Sequence, residues 1–284
     1  MSRGGRAAAV EHLRGTIAGI AAQRDPRRER APLLLPLARA LDPALGGGLA
    51  GDGLHEIAPA QAGDGAAALG FALAIGARFL AAAPPGVSAL LISDDFCARE
   101  MGALYGPGLA GLGLAMERLA IVRAPDAPAL LWAMEEALKS GAPAFILGEL
   151  WGGARHYGLT ASRRLLLAAR AGGAPALLVH GGAFGRADDL SSAAETRFEI
   201  AGAPSAQTPS AGGRLPLPGP PAFAVRLLKA RLRPGSQAPP ADFDATKIIR
   251  LEWNGAERCF LDPTISLPVV RAPADGPGAR AAAR

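Results

Sequence analysis

A loop of small residues near the start of the chain has the spacing of a phosphate site. A predicted strand over residues 54–57 leads into this loop, residues 58–65, and then into an Ala-rich helix predicted over residues 66–83. Strand, loop and helix N-terminus in this order cradle a phosphate, because backbone N–H groups and the helix dipole point at one anion. A working loop also needs a lysine for the β- and γ-phosphates and a Ser or Thr for magnesium.

The loop has this architecture without the residues that do the chemistry. The GxxxxGK[ST] frame is filled by PAQAGDGA from Pro59 onward, so it holds neither a lysine nor a hydroxyl. The first lysine of the chain is Lys139, and Asp64 adds a negative charge to the loop. Pro59, Gly63, Asp64 and Gly65 are therefore predicted to form a vestigial phosphate loop, and no cofactor is expected.

Two predicted buried strands end in carboxylates. VSALLIS leads into Asp94 and Asp95, and AFILGEL carries Glu149 near its end. Catalytic groups of α/β enzymes often lie at the carboxyl ends of parallel strands. Without the lysine, however, the favoured role for Asp94 or Asp95 is to cap the helix that follows. Glu149 is expected to be structural rather than a metal ligand.

His180 closes a third apolar run, PALLVH. No Ser or Cys nucleophile with an acidic partner accompanies it at a recognisable spacing. A hydrogen-bonded residue at the end of a strand is therefore favoured over a general base.

The order of elements predicts an α/β fold. Apolar runs alternate with helical segments, which indicates a twisted, mostly parallel sheet with helices on both faces. Residues 223–232 are predicted to form a strand with a basic face, and the Asn254-Gly255 dipeptide predicts an antiparallel hairpin at one edge. ETRFEI is expected to be a strand exposed on one face, and GPGLAGLGL a loop with a short apolar segment. A helix over residues 160–171 is expected to be capped by Thr160 or Ser162, with the leucines at 165–167 facing inward.

Composition limits the class of protein. Half of the 284 residues are hydrophobic, which is enough for a sizeable core. Cys97 and Cys259 are isolated, which is typical of reduced cytosolic thiols and not of a zinc site. The N-terminus lacks the apolar segment of a signal peptide, and the apolar run from residue 66 to 83 contains Arg78. A cytoplasmic protein without a membrane span is expected, and the net charge of +5 is compatible with nucleic-acid binding.

Three segments follow from composition and periodicity. Residues 1–31 are predicted to form an N-terminal helix and a basic linker, and residues 32–262 the core. A Pro-, Gly- and Ser-rich stretch at 201–222 is expected to be a flexible loop within that core. The Pro/Ala/Arg-rich tail, 263–284, is expected to be disordered.

The run LDPALGGGL, followed by GLHEI and the small-residue loop, resembles the opening of the RecA recombinase core. The chain resembles still more closely the ImuA family of bacterial damage-inducible mutagenesis proteins, which look like RecA relatives with eroded nucleotide sites. The resemblance covers about residues 33–263 and rests on the collinear order of the motifs. It implies a RecA-like sheet. It also puts Asp95 and Glu149 where RecA relatives hold water-activating and magnesium-holding carboxylates, and Arg186 in the counterpart of a DNA-contacting loop.

The resemblance also implies a function, that of a non-catalytic adaptor in mutagenic translesion synthesis during the SOS response to DNA damage. Its expected partners are an ImuB-like relative of Y-family polymerases and an error-prone DnaE-type polymerase. RecA itself and single-stranded DNA are further candidate partners, and the expected location is the cytoplasm, at the nucleoid during repair. Two alternatives stay open. One is a cell-division inhibitor of the SulA type, and the other is an active DNA-stimulated ATPase that uses Lys139, Lys229 or Lys247.

Overall fold

The computed structural model describes residues 33–151, 156–182, 190–205, 219–233, 244 and 246–262. The predicted N-terminal helix, Arg186, most of the loop predicted at 201–222 and the C-terminal tail lie outside the described residues. The division of the chain into these segments therefore stays a prediction.

The described residues form eleven strands, five α-helices and two 3₁₀ turns, at Ala62–Asp64 and Met116–Arg118. The strands are β1 (Leu34–Leu35), β2 (Leu49–Ala50), β3 (Leu54–Pro59), β4 (Ala89–Asp94), β5 (Leu119–Ala124), β6 (Ile146–Leu150), β7 (Ala176–His180), β8 (Thr196–Gly202), β9 (Ala222–Ala230), β10 (Ile249–Asn254) and β11 (Cys259–Leu261). The helices are α1 (Gly65–Ala82), α2 (Asp95–Met101), α3 (Gly106–Gly111), α4 (Ala127–Ser140) and α5 (Leu159–Gly172).

Nine strands make one sheet in the order β11-β10-β9-β8-β3-β7-β6-β4-β5. The neighbours from β8 to β5 all pair in parallel, whereas β9, β10 and β11 add an antiparallel end. The strand before the vestigial loop, β3, lies in the middle of the sheet, and β1 and β2 pair separately. The predicted RecA-like α/β class, with a hairpin at one edge, is confirmed.

One core lies on each face of the sheet. Helix α1 fills the first, where Phe71 contacts the rings of Phe198, Phe223 and Phe260 at centroid distances of 5.6, 5.6 and 5.1 Å. Helices α4 and α5 cover the second, packed on β4, β6 and β7. Among the described residues, Ala62–Ala82 alone is long and apolar enough to cross a membrane by length and composition, and 61% of its most apolar window is buried.

The hairpin has a longer loop than its Asn-Gly dipeptide predicts. Asn254 pairs with Cys259 across the ladder, so four residues make the turn instead of two. The Asn254 side-chain oxygen accepts hydrogen bonds from the backbone N–H groups of Ala256 and Glu257, both at 3.1 Å. The side chain of Asn254 therefore stabilises the turn.

The prediction that ETRFEI is exposed on one face is wrong. The strand that it forms, β8, lies between β3 and β9, and Arg197 in it is only 4% exposed. Arg197 is one of the polar residues that suggested an exposed face, but its guanidinium pairs with the buried carboxylate of Glu56 and does not face solvent.

The predictions about α5 are corrected in two respects. The helix begins at Leu159, with Gly158 at the N-cap position and no side-chain cap, so neither Thr160 nor Ser162 caps it. The Ser162 hydroxyl donates to the Gly158 carbonyl oxygen at 2.7 Å. Leu167, expected to face inward, is 55% exposed because three consecutive leucines cannot share one side of a helix. Likewise, GPGLAGLGL contains the short helix α3 where a loop was expected.

Candidate functional site

The vestigial loop is tied to the end of β8 by its own acid. Asp64 is 8% exposed, and its Oδ1 accepts a hydrogen bond from the Gly202 N–H at 2.9 Å. The Ala60 N–H donates to the Ile200 carbonyl oxygen at 2.9 Å. The loop is thus fixed by protein contacts, and the Asp64 carboxylate lies at the N-terminus of α1, where a phosphate would have to bind.

The position that a phosphate-loop lysine would occupy is covered by a methionine. Gly65 fills that position in the frame and is the first residue of α1. A Cβ atom added to Gly65 would lie 2.6 Å from Cε and 2.8 Å from Sδ of Met101. Met101 ends α2, so its thioether packs where a lysine side chain would begin. The loop therefore lacks the cation, and the flexible end of the Met101 side chain packs against the backbone from which that cation would extend.

Asp94 is a structural carboxylate at the carboxyl end of β4. Its Oδ1 accepts from the Cys97 N–H at 2.6 Å and its Oδ2 from the Trp151 N–H at 2.9 Å. It therefore caps α2, as predicted for Asp94 or Asp95, and it also connects the ends of β4 and β6. Asp95 is the first residue of α2, and its carboxylate is 3.6 Å from Nε of Arg123 in a half-exposed ion pair.

Glu149 is a buried carboxylate with one unpaired oxygen. Its Oε2 accepts from the Ser93 hydroxyl at 3.1 Å, whereas Oε1 has no hydrogen-bond partner among the described residues. Burial raises the pKa of Glu149 above its ordinary value, and the nearby Asp94 charge raises it further against the effect of the Ser93 hydrogen bond. Burial likewise raises the pKa of the neighbouring Cys97 thiol. Within the described residues no group of three or more His, Cys, Asp or Glu side chains is arranged to hold a metal ion.

Glu149→Gln is expected to stabilise the fold at neutral pH by about 1 kcal/mol, because it removes a charge that burial disfavours. A raised pKa means that the native state binds the proton more tightly than the unfolded state does. Wild-type stability should therefore fall as the pH rises from about 4.5 through the higher folded-state pKa. Urea unfolding of both proteins, measured at intervals of about one pH unit between pH 4 and 8, gives this difference in stability.

The gain from Glu149→Gln should vanish near pH 4, because both side chains are then neutral. Glu136→Gln, at an exposed position of α4, is the matched control and should show little change at any pH. A variant that is less stable than wild type at neutral pH but equal to it near pH 4 would instead mean that the ionised Glu149 is stabilising.

A second cluster of polar side chains lies on the α5 side of the sheet, and sequence reasoning missed it. We call it the Glu56 cluster; its members are Glu56, Tyr157, His180, Ser192 and Arg197, all at most 4% exposed. Glu56 Oε2 accepts from Nε of Arg197 at 2.7 Å, and Oε1 accepts from the Tyr157 hydroxyl. Arg197 also donates to the Ser192 hydroxyl at 2.9 Å.

The charges of the Glu56 cluster are balanced inside the protein. Burial by itself would raise the pKa of Glu56, but His180, Arg197 and two hydrogen bonds lower it below its ordinary value. Burial lowers the pKa of His180, whose Nε2 is 4.0 Å from Glu56 Oε1 and makes no hydrogen bond to a described residue. Glu56 therefore carries the negative charge and Arg197 the positive charge. The only sequence signal was an acid within the apolar strand GLHEI.

Among the residues that the structure describes, these two groups of polar side chains hold strands together. No Ser or Cys in either group is paired with His180, and the carboxylates accept their hydrogen bonds from backbone, hydroxyl or guanidinium groups. Such an arrangement favours a rigid scaffold over a centre for phosphoryl or acyl transfer.

Comparison with known proteins gives a clear relationship. The chain is 38% identical over 139 residues to Protein ImuA from each of two strains of Caulobacter vibrioides. The match covers 46% of this chain and 54% of each relative, so the chain spans about half the length of the curated relatives it matches. No protein-family model matches the chain. Over the matched region, and in the RecA-like order of its strands, the chain is thus similar to ImuA proteins.

Proposed function

We propose that this chain is a non-catalytic, RecA-like adaptor in DNA-damage-induced mutagenic translesion synthesis. The observation that carries the proposal is the filled phosphate site, where Met101 packs on Gly65 and Asp64 is bonded to β8. Similarity to ImuA proteins over about half of their length supports a role beside an ImuB-like relative of Y-family polymerases and an error-prone DnaE-type polymerase. In this role the protein works in the cytoplasm and joins the nucleoid during repair.

The physical argument against catalysis concerns charge. Phosphoryl transfer relies on positioning and on cations that stabilise the transferring phosphate, and the loop provides an acid instead of a lysine. Two of the three lysines that the ATPase alternative requires, Lys139 and Lys229, form contacts elsewhere. Lys139 is 2.8 Å from each of two carboxylates on α4, Glu135 and Glu136, and Lys229 donates to the Ser192 carbonyl oxygen at 2.7 Å.

Isothermal titration of the protein with Mg-ATP is expected to give a Kd weaker than about 1 mM. No ATP turnover above background is expected, with or without single-stranded DNA. A micromolar Kd for Mg-ATP would contradict the non-catalytic proposal. If turnover appears, its loss in Lys139→Ala, Lys229→Ala or Lys247→Ala would assign it to this protein and favour the ATPase alternative.

The adaptor role is tested by isolating the tagged protein from DNA-damaged cells and identifying bound proteins by mass spectrometry. Recovery of an ImuB-like protein and a DnaE-type polymerase supports the proposal. Recovery of the tubulin-like division protein without them would move the chain to the SulA-type alternative. We also propose that the protein binds RecA or single-stranded DNA, with Arg186 as a candidate DNA contact. The affinity of each interaction is measured with the purified components.

A further inference from the structure

The outer surface of the α4/α5 layer carries large apolar side chains that the core does not use. Trp132 of α4 is 64% exposed, and Leu159 and Leu167 of α5 are 54% and 55% exposed. Both helices already bury an inward apolar face against the sheet, including Leu130, Met134 and Leu165. The three exposed side chains therefore leave apolar surface in contact with water and do not add to the stability of the core.

A groove separates the two helices beside these residues. Pro128, Leu131 and Trp132 form its α4 wall, and Ala161, Arg164 and Leu165 form its α5 wall. An ion pair crosses it, with a guanidinium nitrogen of Arg164 2.5 Å from Glu135 Oε2. The groove therefore has a mixed lining, in which apolar side chains of both helices lie beside His156 and the Arg164–Glu135 ion pair.

Positive charge is in excess on helix α5. Helix α5 holds three arginines and no acid. Arg164 pairs with Glu135 and Arg170 with Glu195, whereas Arg163 forms no ion pair with any described residue. Arg163 lies one helical turn from both Leu159 and Leu167, so a cation with no ion-pair partner in the described part of the chain lies in the middle of an apolar stripe.

We propose that the α4/α5 surface, consisting of this groove and the Leu159–Arg163–Leu167 stripe, binds an amphipathic helix of the protein partner. The helix places apolar residues in the groove and an Asp or Glu opposite Arg163. Two neighbouring helices leave a groove between them, and the side-chain ridges of a third helix can pack into it. The bound helix contacts such a groove through apolar residues at positions i, i+3 or i+4, and i+7. Exposed Trp and Arg are the residue types that most often dominate binding energy.

Charge favours a different protein over a second copy of this chain as the occupant. In a two-fold dimer whose axis passes through the α5 stripe, Arg163 of each copy would face the other, and like charges there are repulsive. A carboxylate-bearing helix would instead neutralise Arg163. This inference rests on the proposed adaptor function, because it assigns the surface through which the adaptor holds its partner.

The test measures the Kd between the full chain and an ImuB-like protein of the same organism. The two proteins are co-expressed and then purified. Trp132→Ala and Arg163→Glu are expected to raise the Kd at least about tenfold, with a steeper salt dependence for the wild type than for Arg163→Glu. Tyr105→Ala and Arg39→Glu are the matched controls, because both side chains are exposed and belong to segments that pack on the other core. Their Kd should stay within about twofold of wild type, and thermal melts check that every variant is folded.

Each other outcome overturns the inference. If wild type binds and the α4/α5 variants bind equally well, the surface is wrong and the adaptor function stands. If wild type itself does not bind the ImuB-like protein, the proposed function fails and the inference fails with it. If light scattering shows a wild-type dimer that Trp132→Ala converts to a monomer, the occupant is a second copy.

Discussion

Arg197→Leu is expected to lower the free energy of unfolding by about 3–5 kcal/mol, the cost of leaving a buried charge unpaired. Glu56 is fully buried on β3, and Arg197 is its cationic partner at 2.7 Å. Without the guanidinium, the Glu56 carboxylate loses its cationic partner and keeps only hydroxyl donors such as Tyr157 among the described residues. Because single domains are stable by only about 5–15 kcal/mol, this one change removes a large share of the total.

A double-mutant cycle tests whether the loss comes from the unpaired charge. Glu56→Gln combined with Arg197→Leu leaves no buried charge, and it should recover at least about half of the stability lost by Arg197→Leu alone. Urea unfolding followed by circular dichroism measures each corner of the cycle. A single-variant loss below about 1 kcal/mol would mean that the pair behaves like a solvated surface ion pair.

The same pair predicts a pH dependence. Because the folded-state pKa of Glu56 lies below its ordinary value, its contribution is present above about pH 4.5 and is lost as the pH falls through the folded pKa. Arg197→Leu removes the guanidinium charge that lowers this pKa. The deficit of the variant should therefore shrink as the pH falls, because Glu56 takes up a proton at a higher pH in the variant than in the wild type.

Phe71→Ala is expected to cost about 3–5 kcal/mol, in the range of large-to-small changes in a packed core. Phe71 is fully buried at the centre of the α1 face, with edge-on contacts to Phe198 and Phe223 at 5.6 Å. Removal of its ring leaves a cavity lined by side chains from α1, β8, β9 and β11, which are held by backbone ladders and cannot collapse into it.

The midpoint of urea unfolding should fall for Phe71→Ala with the slope unchanged, because the native fold is kept. Phe96→Ala is the matched control, since that ring is 50% exposed and its removal should change stability by less than about 1 kcal/mol. Equal losses for the two variants would contradict the assignment of Phe71 to a packed core.

Some features of this protein are determined by local sequence. The period-2 and apolar runs of β3, β4 and β7 predict their strands within a few residues, and Asn254-Gly255 predicts the hairpin. The loss of the phosphate-loop lysine is visible in residue types alone. These features depend on neighbours in the chain, where side-chain periodicity and turn preferences act directly.

Other features depend on which strands become neighbours. Glu56 and Arg197 are 141 residues apart, and they meet because β8 pairs in parallel with β3 in one register. The contact of Met101 with Gly65 and the bond from Asp64 to Gly202 also join distant segments. No pattern within a strand or helix specifies such pairs, since they depend on the order and register of the whole sheet.

The exposed surface of α5 shows the same division. The sequence by itself determined that residues near 160–171 form a helix with three consecutive leucines, and helical geometry requires that they diverge around its axis. Only the tertiary structure decided that Leu165 and Leu166 face the core while Leu167 faces solvent beside Arg163. The reason is that the direction of burial depends on where β3, β7 and α4 lie, and distant parts of the chain build those surfaces.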